Sequence, residues 1–161
     1  MEKVKAFCKR KNIEISVKRY LIDALGAMAQ GLFASLLIGT IISTLGTQLH
    51  IPILETVGTY AKAAVGPAMA IAIGYALQAA PLVLFSLAAV GAAANELGGA
   101  GGPLAVLVVA IFAAEFGKAV SKETKIDIIV TPFVTIFVGV ALSIWLSLIH
   151  ISEPTRLALI S

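Results

Sequence analysis

An acid and a base stand three residues apart at the end of an apolar stretch, Glu115 and Lys118. On a helix this spacing puts both side chains on one face, where a carboxylate and an ammonium can pair or line a polar pathway. Ionisable groups are costly in hydrocarbon and usually face a cavity or one another. The pair is therefore a candidate for binding a polar solute, and the alternative is a solvated loop with loosely paired charges.

A second polar pair, Asn95 and Glu96, lies between a charge-free run and the glycine-rich residues 98–103. An amide and a carboxylate can hydrogen-bond the hydroxyls of a solute if the segment re-enters the membrane. The alternative is an ordinary helix end outside the membrane. The glycines and Pro103 predict a turn followed by a helix start.

The sequence has no motif of an autonomous enzyme. It lacks the phosphate-binding Gly-x-x-x-x-Gly-Lys-Ser/Thr loop, the Gly-x-Ser-x-Gly elbow of hydrolases and the zinc motif His-Glu-x-x-His. The two histidines, His50 and His150, are far apart, and Cys8 is the single cysteine. We therefore expect no catalytic residue, no metal site and no cofactor.

The composition is that of a membrane protein. Of 161 residues, 59% are hydrophobic and 13% charged, with mean hydropathy +0.99, whereas soluble domains are about 25% charged. The apolar segments are residues 25–45, 63–80, 82–94, 103–114 and 128–149. We predict an all-α polytopic membrane protein with about five hydrophobic segments. Residues 82–94 and 103–114, about 18–20 Å long as helices, are short enough for one or both to be re-entrant.

The positive charges indicate how the chain is oriented. Seven of the twelve Lys and Arg residues lie in the first nineteen positions, which predicts a cytoplasmic segment over residues 1–20 rather than a nucleic-acid-binding region. Lys118, Lys122 and Lys125 also favour the cytoplasm. A polar connector over residues 46–55 would then lie outside the membrane. To return from it to the cytoplasm, the chain must cross the membrane an odd number of times between residues 63 and 117, and three crossing segments satisfy this condition.

Small residues recur at every fourth position in three of the apolar segments. They are Ala27, Gly31, Ser35, Gly39 and Ser43; Gly66, Ala70 and Gly74; and Thr135, Gly139 and Ser143. Such stripes let helix backbones approach closely in lipid. They predict packing inside a bundle or between protomers rather than contact with a substrate.

Two stretches resemble a known family. Residues 10–29, RKNIEISVKRYLIDALGAMA, and residues 114–132, AEFGKAVSKETKIDIIVTP, are similar to the N-terminal half of the IIC-like membrane permeases of bacterial sugar phosphotransferase systems. The likeness covers about residues 7–145. It implies sugar binding and translocation across the bacterial inner membrane, with a separate IIB protein donating phosphate and no phosphorylated residue in this chain. It also implies IIA and IIB partners, membrane lipid around the helices, and a homodimer in the full-length form.

Glu115, Lys118 and Asp127 match the pattern of that family, and with Asn95 and Glu96 they are the predicted sugar-binding residues. The Gly-Ile-Thr-Glu sugar motif of the glucose-type permeases is absent, so no established sugar ligand is transferred from it. Because family members are much longer, we expect a fragment that does not transport by itself. The alternative function is a membrane-embedded ligand sensor or scaffold without transport.

The C-terminal stretch resembles something else. Residues 146–156, LSLIHISEPTR, are similar to the translation of a transposase-type sequencing-library adapter. We therefore expect three parts: a basic N-terminal segment over residues 1–20, a partial transmembrane IIC-like domain over residues 21–145, and an artefactual tail over residues 146–161.

Overall fold

The computed structural model describes the backbone of residues 1–160 and the side chains of residues 1–149. Over that part of the chain it contains seven helices and no strand, which confirms the all-α prediction. The helices are α1 Glu2–Arg10, α2 Lys18–Leu49, α3 Pro52–Ala63, α4 Val65–Ala76, α5 Pro81–Leu97, α6 Gly102–Val120 and α7 Asp127–Ile160.

Five apolar segments are present, as predicted, but their lengths differ from expectation. Three helical stretches are long and apolar enough to cross a membrane, Lys18–Leu49, Gly99–Val120 and Asp127–Ile149, and the shorter apolar helices are α4 and α5. The predicted end of the short segment at residues 103–114 is wrong, because the helix continues to Val120. The helix includes Glu115 and Lys118, since these two charged side chains pair with each other inside the bundle.

The predicted polar connector at residues 46–55 is present but shorter than expected. Helix α2 continues through Leu49, and His50 ends it in the left-handed conformation with φ 57°. Pro52, whose fixed φ suits a first helical turn, begins α3 almost at once. The connection is thus a tight turn, and most of the residues assigned to a loop are helical.

Helices α2, α3 and α4 form one long antiparallel hairpin. The points of closest approach are Gly46 against Glu55, Gly39 against Gly58, and Gly31 against Ala68. As α2 is followed from Gly46 back to Gly31, the residues that it contacts advance from α3 into α4. Helices α3 and α4 therefore act as a single crossing with a short break at Ala64. The two helices together span about 37 Å, enough for a hydrocarbon layer of about 30 Å.

The remaining helices pack antiparallel beside this hairpin. Gly66 of α4 lies against Gly91 of α5, and Gly139 of α7 lies against Val90. A Cβ added at Gly91 would come within 2.3 Å of the Gly66 carbonyl oxygen, so both positions need glycine. The small-residue stripes therefore pack inside the bundle, which confirms that prediction. The fully buried core side chains include Met69, Ile73, Leu77, Val83, Leu87, Val90, Val106 and Val109.

The alternating helices give the bundle two ends. We call residues 1–19, 77–80 and 118–127 the basic end, and residues 39–63 and 95–102 the hairpin end. Helix α4 runs to the basic end, α5 runs back to the hairpin end, and α6 returns to the basic end. The N-terminal segment and the lysine cluster therefore share one side, as predicted. Measured toward the hairpin end from the contact between Gly66 and Gly91, the start of α3 lies about 12 Å further out than the end of α5.

Candidate functional site

Lys118 is buried in α6 at the basic end, with 3% of its surface exposed. Its ammonium donates hydrogen bonds to the carbonyl oxygens of Leu77 and Asn12, both at 2.8 Å. It also lies 3.0 Å from Oε1 of Glu115. The alternative of a solvated loop is wrong, because both charged residues lie on a helix and are packed inside the bundle.

The carboxylate of Glu115 is only partly partnered. Its side chain is 14% exposed. Both carboxylate oxygens are buried without a hydrogen bond of good geometry among the described residues, although Oε1 pairs with Lys118. The Tyr20 hydroxyl of α2 is a neighbouring side-chain donor to this carboxylate. Buried acceptors with incomplete hydrogen bonding are rare and costly, so Oε2 is the oxygen with the most capacity to accept a hydrogen bond from a solute.

Arg19 belongs to the same cluster, although the sequence analysis did not select it. Its guanidinium donates to the Leu77 carbonyl at 3.0 Å and lies 3.7 Å from Oε2 of Glu14. The last carbonyls of a helix lack intrahelical donors and carry partial negative charge, and the Leu77 carbonyl directly follows α4. An arginine at the border of an apolar run was the available signal.

The predicted pair at residues 95 and 96 is far from Glu115. Asn95 is half-buried where α5 packs against the start of α6, with its Oδ1 2.7 Å from a Cβ placed on Gly102. Glu96 is exposed. Gly102 and Lys118 are about 24 Å apart along α6. The five predicted residues thus fall at opposite ends of the bundle, and α5 forms a helix–turn–helix with α6.

Asp127 lies at the basic end but its carboxylate is engaged locally. Its Oδ1 atom accepts a hydrogen bond from the Lys122 backbone N–H at 2.7 Å and another from the Thr131 hydroxyl. These bonds close the loop between α6 and α7 and hold Lys122 with φ 61°. The carboxylate therefore organises the loop.

The N-terminal segment is attached to that loop by charge. Glu123 lies 2.8 Å from the Arg10 guanidinium and 2.6 Å from the Lys11 ammonium, and Lys11 also donates to the Ser121 carbonyl. The hydrogen bond from Lys11 holds the pKa of the Glu123 carboxyl below its usual value, and the positive charge of Arg10 acts in the same direction. Helix α1 itself has no buried residue.

Within the part of the chain that the structure describes, no group of three His, Cys, Asp or Glu side chains could hold a metal ion. The site is instead an ionic cluster in which two cations bind one helix end and the Glu115 carboxylate is incompletely hydrogen-bonded. Such a cluster can bind and orient a polar molecule.

Comparison with protein families matches residues 22–153 to the family described as phosphotransferase system, EIIC. Comparisons with curated proteins and with solved structures give no match. The matched range begins in α2 and ends in α7, so it includes all five apolar segments. It also passes residue 146, and the adapter origin of the last residues stays a prediction; His150 and Glu153 lie outside the described side chains. The chain belongs to the phosphotransferase system EIIC family, and is a membrane permease component of a sugar phosphotransferase system with a sugar as substrate and IIA and IIB proteins as partners in general.

Proposed function

We propose that Glu115 binds sugar hydroxyls inside the membrane-embedded bundle. The observation that supports this is the buried carboxylate of Glu115, whose hydrogen bonding is incomplete among the described residues although Lys118 and Tyr20 lie beside it. The carboxylate lies on a helix long enough to span a membrane. An ionised carboxylate accepts hydrogen bonds from hydroxyl groups, and such charge-assisted bonds are stronger than neutral ones. A sugar hydroxyl would satisfy the oxygen that the chain leaves open.

Lys118 acts as a positioning residue in this proposal. An ammonium has three N–H donors, and the structure gives Lys118 three acceptors: the carbonyl oxygens of Leu77 and Asn12, and Glu115 Oε1. It has no donor left for a solute. It fixes the carboxylate against the end of α4, so that Oε2 is presented in one orientation.

Asn95, Glu96 and Asp127 remain proposed sugar contacts of lower rank. Asn95 and Glu96 lie at the other end of α6, so a solute that crosses the bundle could meet them only at a different stage from Glu115. Asp127 could bind a sugar only through lone pairs that Lys122 and Thr131 leave free.

The test is sugar binding by the purified chain in an uncharged detergent. A panel of hexoses and disaccharides is measured by isothermal titration calorimetry, and we expect Glu115→Gln to weaken the binding of the preferred sugar at least tenfold, equivalent to about 1.4 kcal/mol. Glu2→Gln is the matched control, since it makes the same chemical change on an exposed carboxylate. Equal binding by both variants, or no binding by the unaltered chain, would contradict the proposal.

A second measurement, the accumulation of phosphorylated sugar, distinguishes a transport function from a sensing function. Cells that lack their own IIC protein and produce this chain with its IIA and IIB partners should accumulate phosphorylated sugar, and Glu115→Gln should reduce that accumulation. Sugar binding without any accumulation would favour the sensor or scaffold function, or a transport unit that needs further sequence.

We propose that the basic end faces the cytoplasm of a bacterial inner membrane. The support is the convergence of the N-terminal basic residues with Lys118, Lys122 and Lys125 on one side of the bundle, because cytoplasmic segments are enriched in Lys and Arg. Cys8, the single cysteine, allows a direct test. A membrane-impermeant maleimide should label Cys8 only after the cells are lysed, and should label Ile53→Cys, made with Cys8→Ser, in intact cells.

We also propose a homodimer that forms through the outer face of the hairpin end, with lipid around the other apolar faces. In the most apolar 18-residue stretch of α2, only 17% of the residues are buried. Ile41, Leu45 and Val57 are about half exposed. The small-residue stripes are used within the chain, so a dimer needs this other surface. Leu45→Cys, with Cys8→Ser, should form a disulfide-linked dimer in membranes, and Phe85→Cys on an exposed part of α5 should not.

A further inference from the structure

The basic end contains a cavity of about 500 Å³ that is lined by Lys118 but not by Glu115. It opens between the N-terminal segment, the turn after α4 and the loop before α7. Its charged lining consists of Arg10, Lys11, Lys118, Lys122 and Glu123. Clefts of about 300–1,000 Å³ are typical of small-molecule sites, so this one can hold a compact polar group.

The charges of the lining do not cancel. Glu123 compensates one of the two cations that it contacts, Arg10 and Lys11, and Glu115 compensates Lys118. Asp127, whose carboxylate interacts electrostatically with Lys11 and Lys122, compensates a further charge. One net positive charge therefore remains at the cavity. The Lys122 side chain forms no ion pair within the described residues, so its ammonium is the one that can reach a ligand without breaking a contact.

Lys122 is held in a backbone conformation that lysine seldom adopts. Its φ is 61°, and its N–H donates to the Asp127 carboxylate at 2.7 Å. Non-glycine residues in this region are costly and persist where the surroundings determine them. The loop thus fixes the backbone of Lys122 beside the cavity, and its ammonium forms no ion pair within 4 Å among the described residues. Asn12, Gln78 and Ser121 add neutral hydrogen-bonding groups to the lining.

We propose that this cavity binds a phosphate group, either of a soluble phosphomonoester or of an anionic lipid headgroup. Lysine and arginine bind phosphate oxygens through charge-assisted hydrogen bonds. Basic pockets between transmembrane helices at the membrane surface bind anionic headgroups. The inference uses the charge and shape of the basic end and does not depend on sugar binding at Glu115.

The experiment compares two lysines of the same loop. Lys122→Gln removes the cation at the cavity, and Lys125→Gln, the matched control, removes one that does not line it. The purified full chain in uncharged detergent is titrated calorimetrically with inorganic phosphate and with a hexose 6-phosphate. Retention of phosphatidylglycerol over phosphatidylcholine is measured by native mass spectrometry.

We expect Lys122→Gln to weaken one of these ligands about tenfold and Lys125→Gln to leave it unchanged. Sensitivity of the phosphomonoester alone identifies a soluble ligand, and sensitivity of phosphatidylglycerol alone identifies a lipid headgroup; either supports the proposal. Absence of binding by the unaltered chain, or equal weakening by both variants, would overturn it. Because sugar affinity is measured separately with Glu115→Gln, failure of this proposal is distinguishable from failure of the sugar site.

Discussion

The two ends of the bundle are held together by different forces. At the basic end, Lys118 and Arg19 direct their charges at a single carbonyl oxygen, that of Leu77. At the hairpin end, Gly39 and Gly46 let the backbone of α2 approach α3. One end is joined by directional bonds between distant segments, and the other by close packing along a continuous pair of helices.

This difference separates the two ways in which the chain can be damaged. A charge removed from the basic end leaves its former partners buried without compensation. A methyl group added where helices touch pushes two backbones apart. The exposed charges of the basic end should matter much less than the buried ones.

The largest expected effect is that of Lys118→Met. The substitution leaves Glu115 without its counter-ion in the bundle, and breaking a buried pair in this way costs about 3–5 kcal/mol. Unfolding of the detergent-solubilised chain, followed by circular dichroism, measures the loss. The double variant with Glu115→Gln should recover part of it, whereas a single variant as stable as the unaltered chain would remove Lys118 from its structural role.

A smaller loss is expected from Gly91→Ala, because the new Cβ would lie 2.3 Å from the Gly66 carbonyl oxygen. Overpacking of this kind costs about 1–3 kcal/mol. Gly26→Ala is the control, since a Cβ there meets nothing within 4 Å. The two unfolding midpoints in the same detergent should separate clearly, and equal midpoints would show that α4 and α5 are not in close contact.

Asp127→Ala should destabilise the chain less than Gly91→Ala does, because it removes only the exposed acceptor of the Lys122 N–H and the Thr131 hydroxyl. Asp127→Asn retains an acceptor oxygen and should cost less. Comparing the two by unfolding and by sugar titration separates the roles of this residue. Loss of sugar affinity in a stable Asp127→Asn variant would indicate a direct contact with the sugar.

The smallest effect concerns the attachment of α1. The pKa of Glu123 is lowered in the folded chain, so its contribution is present above the pKa of the unfolded state and is lost as the pH falls through the folded value. A spin label on Cys8 should therefore become more mobile when the pH falls below the usual pKa of a glutamate carboxyl. Glu123→Gln should show the mobile spectrum at neutral pH, and a spectrum independent of both changes would mean that other contacts hold α1.

Several features could be predicted because their signals are local. Apolar runs of about 20 residues predict membrane-spanning helices, and Pro103 predicts a helix start, since both principles act within one segment. The helical spacing of Glu115 and Lys118 predicted a shared face correctly. The end of α6 was missed, because a charged residue looks like a helix boundary until its burial is known.

The partners of Lys118 could not be predicted in the same way. Asn12 and Leu77 offer backbone carbonyls, which every residue has, so no side-chain type marks them. Likewise, the separation of Asn95 from Glu115 depends on α5 and α6 packing side by side for their full length. A polar residue at a helix end gives no indication of which other end it will face.

The sequence by itself determined that this chain is a helical membrane protein, where its apolar segments lie, and that its N-terminal segment shares a side with the lysine cluster, because hydropathy and charge bias act along one segment at a time. Only the tertiary structure decided that α3 and α4 form one broken crossing. It also decided that all three N–H donors of Lys118 are engaged while the Glu115 carboxylate is incompletely hydrogen-bonded, and that Lys122 borders a basic cavity. Those features arise from contacts between residues distant in the chain, and such contacts exist only after the helices have packed.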